Sequence, residues 1–241
     1  MNYLRILFFK LFIISVFLCP FLEGLGREHF LIMGAPGSGK GTFSQFLMML
    51  RDYKHLCLGD LIKKEIANDT ETGRICKPYV EAGKLVPNDL LYELFEKHFI
   101  EALESKDLII VDGMVQSLEH VQFFDALIQK YQVSDQWNFV YIRVDQGTSL
   151  LRMLERRVCS QCGIIYQSSS EFCEARCAIC NGVIVKRLDD QDVVIRRRIE
   201  RFFNQTYLLV EHYRNRQEFF EFDGNKNRNE LLIEYRETFG H

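Results

Sequence analysis

The chain has 241 residues, 47% hydrophobic and 26% charged, with only 15 Gly and 4 Pro, which excludes a disordered or collagen-like polymer and is enough for one large core. Thirty basic against 33 acidic residues give a formal net charge of −3. There is thus no overall attraction to nucleic acid or an anionic membrane surface, and any polyanion must meet a local basic cluster. In chain order, residues 1–26 come first. Arg5 and Lys10 precede a 12-residue uncharged apolar run, Leu11 to Leu22, too short to span a bilayer and of signal-peptide length, followed by the small residues Gly24 and Gly26. This stretch is read as a signal peptide or an N-terminal apolar extension. An over-long start and a helix packed on the body are the alternatives.

Residues 27–241 alternate short apolar runs with longer amphipathic stretches, the pattern of a parallel sheet wrapped in helices. Strands are predicted at His29–Gly34, His55–Gly59, Leu108–Gly113, Asn138–Val144 and Glu218–Gly224. Helices are predicted at Thr42–Asp52, Asp89–Glu104, Leu118–Tyr131, Ser149–Arg157, Asp192–Asn215 and Asn229–Thr238. A cysteine-rich stretch from Cys159 to about Leu188 interrupts the rhythm and reads as an insertion.

Five of the eight cysteines, Cys159, Cys162, Cys173, Cys177 and Cys180, fall within 22 residues, whereas a disulfide framework would spread them along a short chain. Cys159-x2-Cys162 followed by Cys177-x2-Cys180 has the spacing of a four-thiolate tetrahedral zinc site. Such a site has no open coordination position, so its role is to stabilise a small element lacking a core of its own. Cys173 is the odd thiol. The stretch from Ser160 to Val185 is neither basic nor aromatic-interleaved, which argues against a nucleic-acid-binding zinc ribbon.

GAPGSGKGT, Gly34 to Thr42, lies between an apolar strand and an amphipathic helix, the context of a phosphate-binding loop. Glycines let successive backbone N–H groups turn inward, the helix N-terminus adds positive potential, and Lys40 supplies a cation for the β and γ phosphates. Gly41 stands between Lys40 and Thr42, where the strict pattern puts Ser or Thr directly after the lysine.

With this loop the chain resembles the adenylate kinase family, whose loop reads GxPGxGKGT. The resemblance continues through GDLIKKEI, EAGKLVPNDL, IIVDGMVQS, LERRVCSQCGIIY, KRLDDQDVVIRRRI and FEFDGNKN, spanning roughly Phe30 to Leu232. It implies a three-layer α/β P-loop kinase fold with a five-stranded parallel sheet, a helical monophosphate-binding insertion at 57–86 and a zinc-binding lid at 157–190. It implies transfer of the γ-phosphoryl group of Mg·ATP to a nucleoside monophosphate, most simply AMP. The catalytic set carried over is Lys40, Arg152, Arg156, Arg187, Arg198 and Asp112, with Asp112 holding the water shell of Mg²⁺ and Asp189 and Asp190 setting the lid hinge. ATP would meet Gly37, Ser38, Gly39, Lys40, Gly41, Thr42, Arg156, Ile165, Tyr166 and Lys226. The monophosphate would meet Leu58, Lys63, Lys84, Leu85, Val86, Gly113, Gln116, His120, Arg187 and Arg198. Converging arginines suit the chemistry, since planar guanidinium groups clamp phosphate oxygens and phosphoryl transfer is mostly positioning and charge neutralisation. Arg157, Arg196 and Arg197 are read as surface or helix-capping residues.

The acceptor side departs from the family. Leu58 replaces a threonine, Lys63 and Gln116 replace arginines, and His120 replaces the glutamine that reads adenine. Exchanging a charge-assisted bidentate bond for a neutral amide at Gln116 costs about 1.5–3 kcal/mol of phosphate binding. A kinase for another monophosphate and an ATP-binding relative with weak or lost activity are therefore carried as alternatives. The partners expected are ATP and a monophosphate, with no nucleic acid, in a monomer. Clustered thiols and ATP favour a reducing, cytoplasmic compartment, while residues 1–26 keep export or membrane tethering in view.

Overall fold

The alternation of side chains along HFLIMG fixes the architecture. In β1 (His29–Gly34), Phe30 and Ile32 point to one face of the sheet and Leu31 and Met33 to the other, and all four are buried. A strand covered on both faces reads as an unbroken apolar run, as β3 (Leu108–Asp112) and β4 (Trp137–Arg143) also do. The structure is a computed structural model that describes residues 28–166, 176–187, 190–216 and 218–240. The expectations for residues 1–26, Cys173 and Asp189 lie outside these residues.

β2 (Tyr53–Cys57) and β8 (Phe219–Asp223) complete a parallel five-stranded sheet in the order β2-β3-β1-β4-β8, with Ile32 opposite Asp112 and Ile32 opposite Val140. On one face, Phe30, Ile32, Ile110, Val140 and Ile142 pack against Phe43, Phe46 and Leu47 of α1 (Lys40–Leu50) and Leu231, Tyr235 and Phe239 of α9 (Arg228–Phe239). The other face receives Phe95 and Phe99 of α4 (Asn88–Glu104) and Phe124 of α5 (Leu118–Lys130), with Phe99 and Phe124 against Trp137, and Val210 and Tyr213 of α8 (Tyr207–Arg214), with Tyr213 stacked on Phe139. The chain leaves β1 toward β2 and leaves β3 toward β4, in opposite directions, so a crevice opens between the C-terminal ends of β1 and β3.

Local signals start several helices. Ser117 Oγ accepts from the His120 N–H, and Asn227 forms a capping box with Glu230. The insertion before α4 holds α2 (Leu58–Ala67) and α3 (Glu71–Glu81). They cross so closely at Gly73 that a Cβ there would lie 2.1 Å from the Glu65 carbonyl oxygen.

Four expectations shift. The helix predicted at Thr42–Asp52 is α1 (Lys40–Leu50), which starts directly after the turn at Gly39. The strand predicted at His55–Gly59 runs over Tyr53–Cys57, because β2 is an edge strand and Leu58 already begins α2. The helix predicted at Ser149–Arg157 is α6 (Gln146–Glu155), since Arg157 enters the lid strand β5 (Arg157–Cys159). The single helix predicted over Asp192–Asn215 is α7 (Asp192–Arg201), a π turn (Phe202–Thr206) and α8. In that turn the Tyr207 N–H reaches the Phe202 carbonyl.

β5 pairs antiparallel with β6 (Ile165–Tyr166) and β7 (Ile184–Val185). This small sheet buries Cys159, Tyr166, Cys177 and Ile184 as a cluster separate from the main core.

Candidate active site

The loop from β1 to α1 lies at the crevice. Gly34 must be bare, because a Cβ there would sit 2.5 Å from Ser38 Oγ and 2.7 Å from the Ile142 carbonyl. Gly39 has φ +110°, a conformation that side chains other than glycine's resist, and it directs the start of α1 into the cleft. Lys40 Nζ donates to the Gly34 and Ala35 carbonyls at 2.9 and 3.0 Å. Burial holds its ammonium below the ordinary lysine range, and the nearby Asp112 carboxylate opposes that shift. Asp112, at the end of β3, is buried, and its Oδ1 has no hydrogen-bond partner among the described residues.

The cleft over this loop encloses about 660 Å³. Gly37, Gly39, Lys40, Gly41 and Thr42 line its floor, with Ile165 of the lid above. A Cβ on Gly41 would approach Ile165 Cδ1 to 3.1 Å. Arg152, Arg156, Arg187 and Arg198 also line it. Arg152 ties the loop to the far side of the site, donating to the carbonyls of Gly37, Gly224 and Lys226 at 3.4, 2.5 and 3.2 Å. Arg156 makes a two-bond pair with Asp190, 2.8 and 2.6 Å, in which the carboxylate has no exposed surface. Arg187 lies 3.7 Å from Asp60 of α2, linking the lid side to the insertion. Leu58, Lys63, Lys84, Leu85 and Val86 line the insertion side, and Gly113 and Gln116 the sheet side.

Four expected ligand residues are placed away from the cleft. Ser38 is fully buried against Gly34 rather than turned toward the opening. Tyr166 lies inside the lid, its hydroxyl donating to Cys177 Sγ and accepting from the Ala178 N–H. Lys226 pairs its ammonium with Glu234, so only its backbone carbonyl meets the site, through Arg152. His120 has no exposed surface, and its Nε2 lies 2.9 Å from Asn88 Oδ1. Arg201 of α7, absent from the sequence expectation, lines the cleft three residues after Arg198. That i,i+3 spacing puts both on one helix face and was the available signal.

In the lid, the four sulfurs of Cys159, Cys162, Cys177 and Cys180 lie within 4.8 Å of one another. Backbone N–H groups of Gln161 and Ile179 point at the sulfurs of Cys159 and Cys177, and Gly163 turns the first knuckle at φ +71°. The Tyr166 hydroxyl is the foremost influence drawing the Cys177 thiol down to about 6, favouring the thiolate that binds metal.

The family model for adenylate kinase matches residues 32–218. The chain belongs to the adenylate kinase family. Adenylate kinases of Rickettsia bellii and Fervidobacterium nodosum are each 31% identical to it over 206 residues, covering 83% and 85% of this chain and 93% and 94% of theirs. The adenylate kinase of Clostridium tetani is 30% identical over 214 residues, covering 88% of this chain and 98% of its own length. This is a phosphotransferase family, and its fold accounts for the side-by-side placement of Lys40 and Asp112: Ile32, two residues before the loop, pairs in register with Asp112. Membership also gives the acceptor-side departures their meaning. An adenylate kinase cleft here has Leu58 and Gln116 on its walls and His120 turned into the core.

Proposed function

We propose that the chain transfers the γ-phosphoryl group of Mg·ATP to AMP, giving two ADP. The observation that carries this is the convergence of Lys40, Arg187 and Arg198 on one cleft beside Asp112. An oxygen of the AMP phosphate attacks the γ-phosphorus in line as the bond to the β,γ-bridging oxygen breaks, and ADP departs. The acceptor phosphate is already largely ionised at neutral pH, so no side chain need remove a proton. The protein's task is to gather anions and spread the transferring charge.

Glycine-loop amides and Lys40 hold the β and γ phosphates. Arg198, on the helix opposite, meets the charge between donor and acceptor, and Arg187 couples the lid side to the acceptor insertion. Arg152 and Arg156 act by holding the loop and the lid hinge, through the carbonyls of Gly37 and Gly224 and through Asp190. Asp112 suits Mg²⁺ because it lines the cleft and its Oδ1 is an acceptor with no hydrogen-bond partner among the described residues, which a cation's water ligand would satisfy. Mg²⁺ supplies charge neutralisation on the phosphates. Ile165 over Gly41 brings the lid close to the loop, which excludes water that would otherwise hydrolyse ATP. Cys159, Cys162, Cys177 and Cys180 fit a structural Zn²⁺ that stabilises the lid.

The cleft residues named above all come from this chain, so the proposed reaction calls for no partner residue, and a monomer is the assembly proposed. Four clustered thiolates holding zinc would tend to pair as disulfides in an oxidising compartment, which favours a reducing one. No helix among the described residues is long and apolar enough to cross a membrane, and mass spectrometry of the native N-terminus tests whether residues 1–26, which lie outside the described residues, are retained.

A second reading is favoured by His120 and Leu58: with the histidine bonded to Asn88 and a leucine on the wall, these two positions offer no polar contact that singles out adenine, and another monophosphate is the acceptor. A coupled ADP assay with Mg·ATP and AMP, CMP, UMP or GMP decides. Product with AMP supports the first reading and product with another base alone the second. No product above a Lys40→Met control with any of the four overturns both.

A further inference from the structure

An arginine missing from one wall of the cleft is matched by an unexpected one on another. Gln116, at the position where the resemblance calls for an acceptor-binding arginine, lines the cleft but turns its amide Nε2 to the Gly113 carbonyl at 2.6 Å. Arg201 reaches the same place from α7. Its Nη2 donates to Gln116 Oε1 at 3.4 Å and its Nη1 to the Gly83 carbonyl at 3.0 Å.

The electrical setting of Arg201 is unusual. Among the described residues no carboxylate lies within ion-pair distance of it, and its one side-chain partner is a neutral amide at long range. Burial and the neighbouring Arg198 charge both press its guanidinium toward the neutral form. Other arginines of this region have found carboxylates: Arg156 has Asp190, Arg187 has Asp60 and Arg196 has Asp192. A half-buried cation beside a like charge, without a counter-ion among the described residues, is costly unless an anion completes it. The adjoining cleft already presents Lys63 and Lys84.

We infer that Arg201 is a binding residue for the acceptor's phosphate, placing from α7 the guanidinium that this chain lacks at position 116. The neutral Gln116 is then part of the arrangement, since an arginine in its place would put two guanidinium groups in contact. The five donors of a guanidinium allow Arg201 to keep the Gly83 carbonyl and still present a free edge to a phosphate. Its bond to Gly83 also makes the acceptor insertion sense the filled phosphate position. The inference rests on the phosphotransfer reading for its ligand, a nucleoside monophosphate, though not for its test.

Arg201→Gln is expected to raise KM for AMP about ten- to a hundredfold, the value of one charged hydrogen-bonded contact, with KM for ATP changed by less than about twofold. Arg201→Lys falls between, keeping the charge and losing the fork. Gln116→Arg introduced into Arg201→Gln recovers most of the loss, by returning a guanidinium to the same space from the other wall. Equilibrium dialysis supplies the arm that needs no turnover: Arg201→Gln weakens AMP binding by the same factor and leaves adenosine binding unchanged. If Arg201 merely fastens the insertion through Gly83, AMP and adenosine weaken together and Gln116→Arg rescues nothing, which overturns the inference. Turnover by the parent chain with an unaltered Arg201→Gln variant overturns it and leaves the kinase reading standing. Phosphate-dependent binding through Arg201 without turnover sustains it and removes the kinase reading, and a parent chain that neither binds AMP nor turns it over defeats both.

Discussion

Asp190 gives both carboxylate oxygens to Arg156 and has no exposed surface, so the pair is a buried joint between α6 and the start of α7. Removing one partner of such a joint strands the other charge, and Asp190→Asn is expected to destabilise the fold by about 3–5 kcal/mol, read from the urea midpoint. If the midpoint moves by less than about 1 kcal/mol, the joint is not holding the hinge. Which arginine takes which partner was beyond the sequence. The motifs identified Arg156 and Arg187 as cleft residues, but the carboxylates that engage them lie far along the chain, 34 residues away for Arg156. Tyr166 and Lys226 carry the same lesson. Position within a motif indicated residues near the nucleotide, while Cys177 and Glu234 decided where the polar tips went.

Among the described residues the lid has little core of its own: a cluster of four buried apolar side chains and three short strands. Metal analysis of the purified chain is expected to find one zinc per molecule. Chelation with confirmed metal loss is expected to lower Tm by about 5 °C or more, and Cys177→Ser to reproduce the shift. An unchanged melting profile after metal loss would show that the strands hold without it. Elements with strong periodicity were legible, as were the cysteine knuckles, because ligand spacing is itself a sequence pattern. The missed boundaries have specific physical causes. β2 is half exposed at a sheet edge, so the buried-strand pattern fades there and the count slid two residues into α2. The wide turn at Phe202–Thr206 adds one residue to a helix that otherwise keeps its apolar stripe.

At the scale of the molecule, two histidines are buried where their rings resist protonation. His29 accepts a hydrogen bond from the Ile109 N–H, and burial is the main cause lowering its pKa below 6.5. Burial likewise lowers that of His120. In the unfolded chain both bind a proton near pH 6.5, whereas burial disfavours that proton in the fold. Stability is therefore fully present above about pH 7 and declines as pH falls below 6.5, by at most about 1.4 kcal/mol per pH unit for each ring. Urea midpoints between pH 7.5 and 5.0 check this, and His120→Gln is expected to flatten the decline; an equal slope in the variant would remove His120 from the cause. The five-stranded sheet itself was legible because both of its faces are covered, which writes apolar runs into β1, β3 and β4. The meeting of Arg201 with Gln116 was not, since it depends on how α7 lies across the end of β3, a relation between segments 85 residues apart. The π turn links these observations. One stretch of chain must aim Arg198 and Arg201 at the cleft and, a few residues later, Val210 and Tyr213 at the sheet. A uniform α-helix advances about 100° per residue, so the two demands fix the phase between them. The extra residue supplies the missing angle. Deleting one residue there would swing Val210 and Tyr213 off the core by about that angle, so this wide turn acts as the phase adjuster between the half that faces the cleft and the half that packs on the sheet.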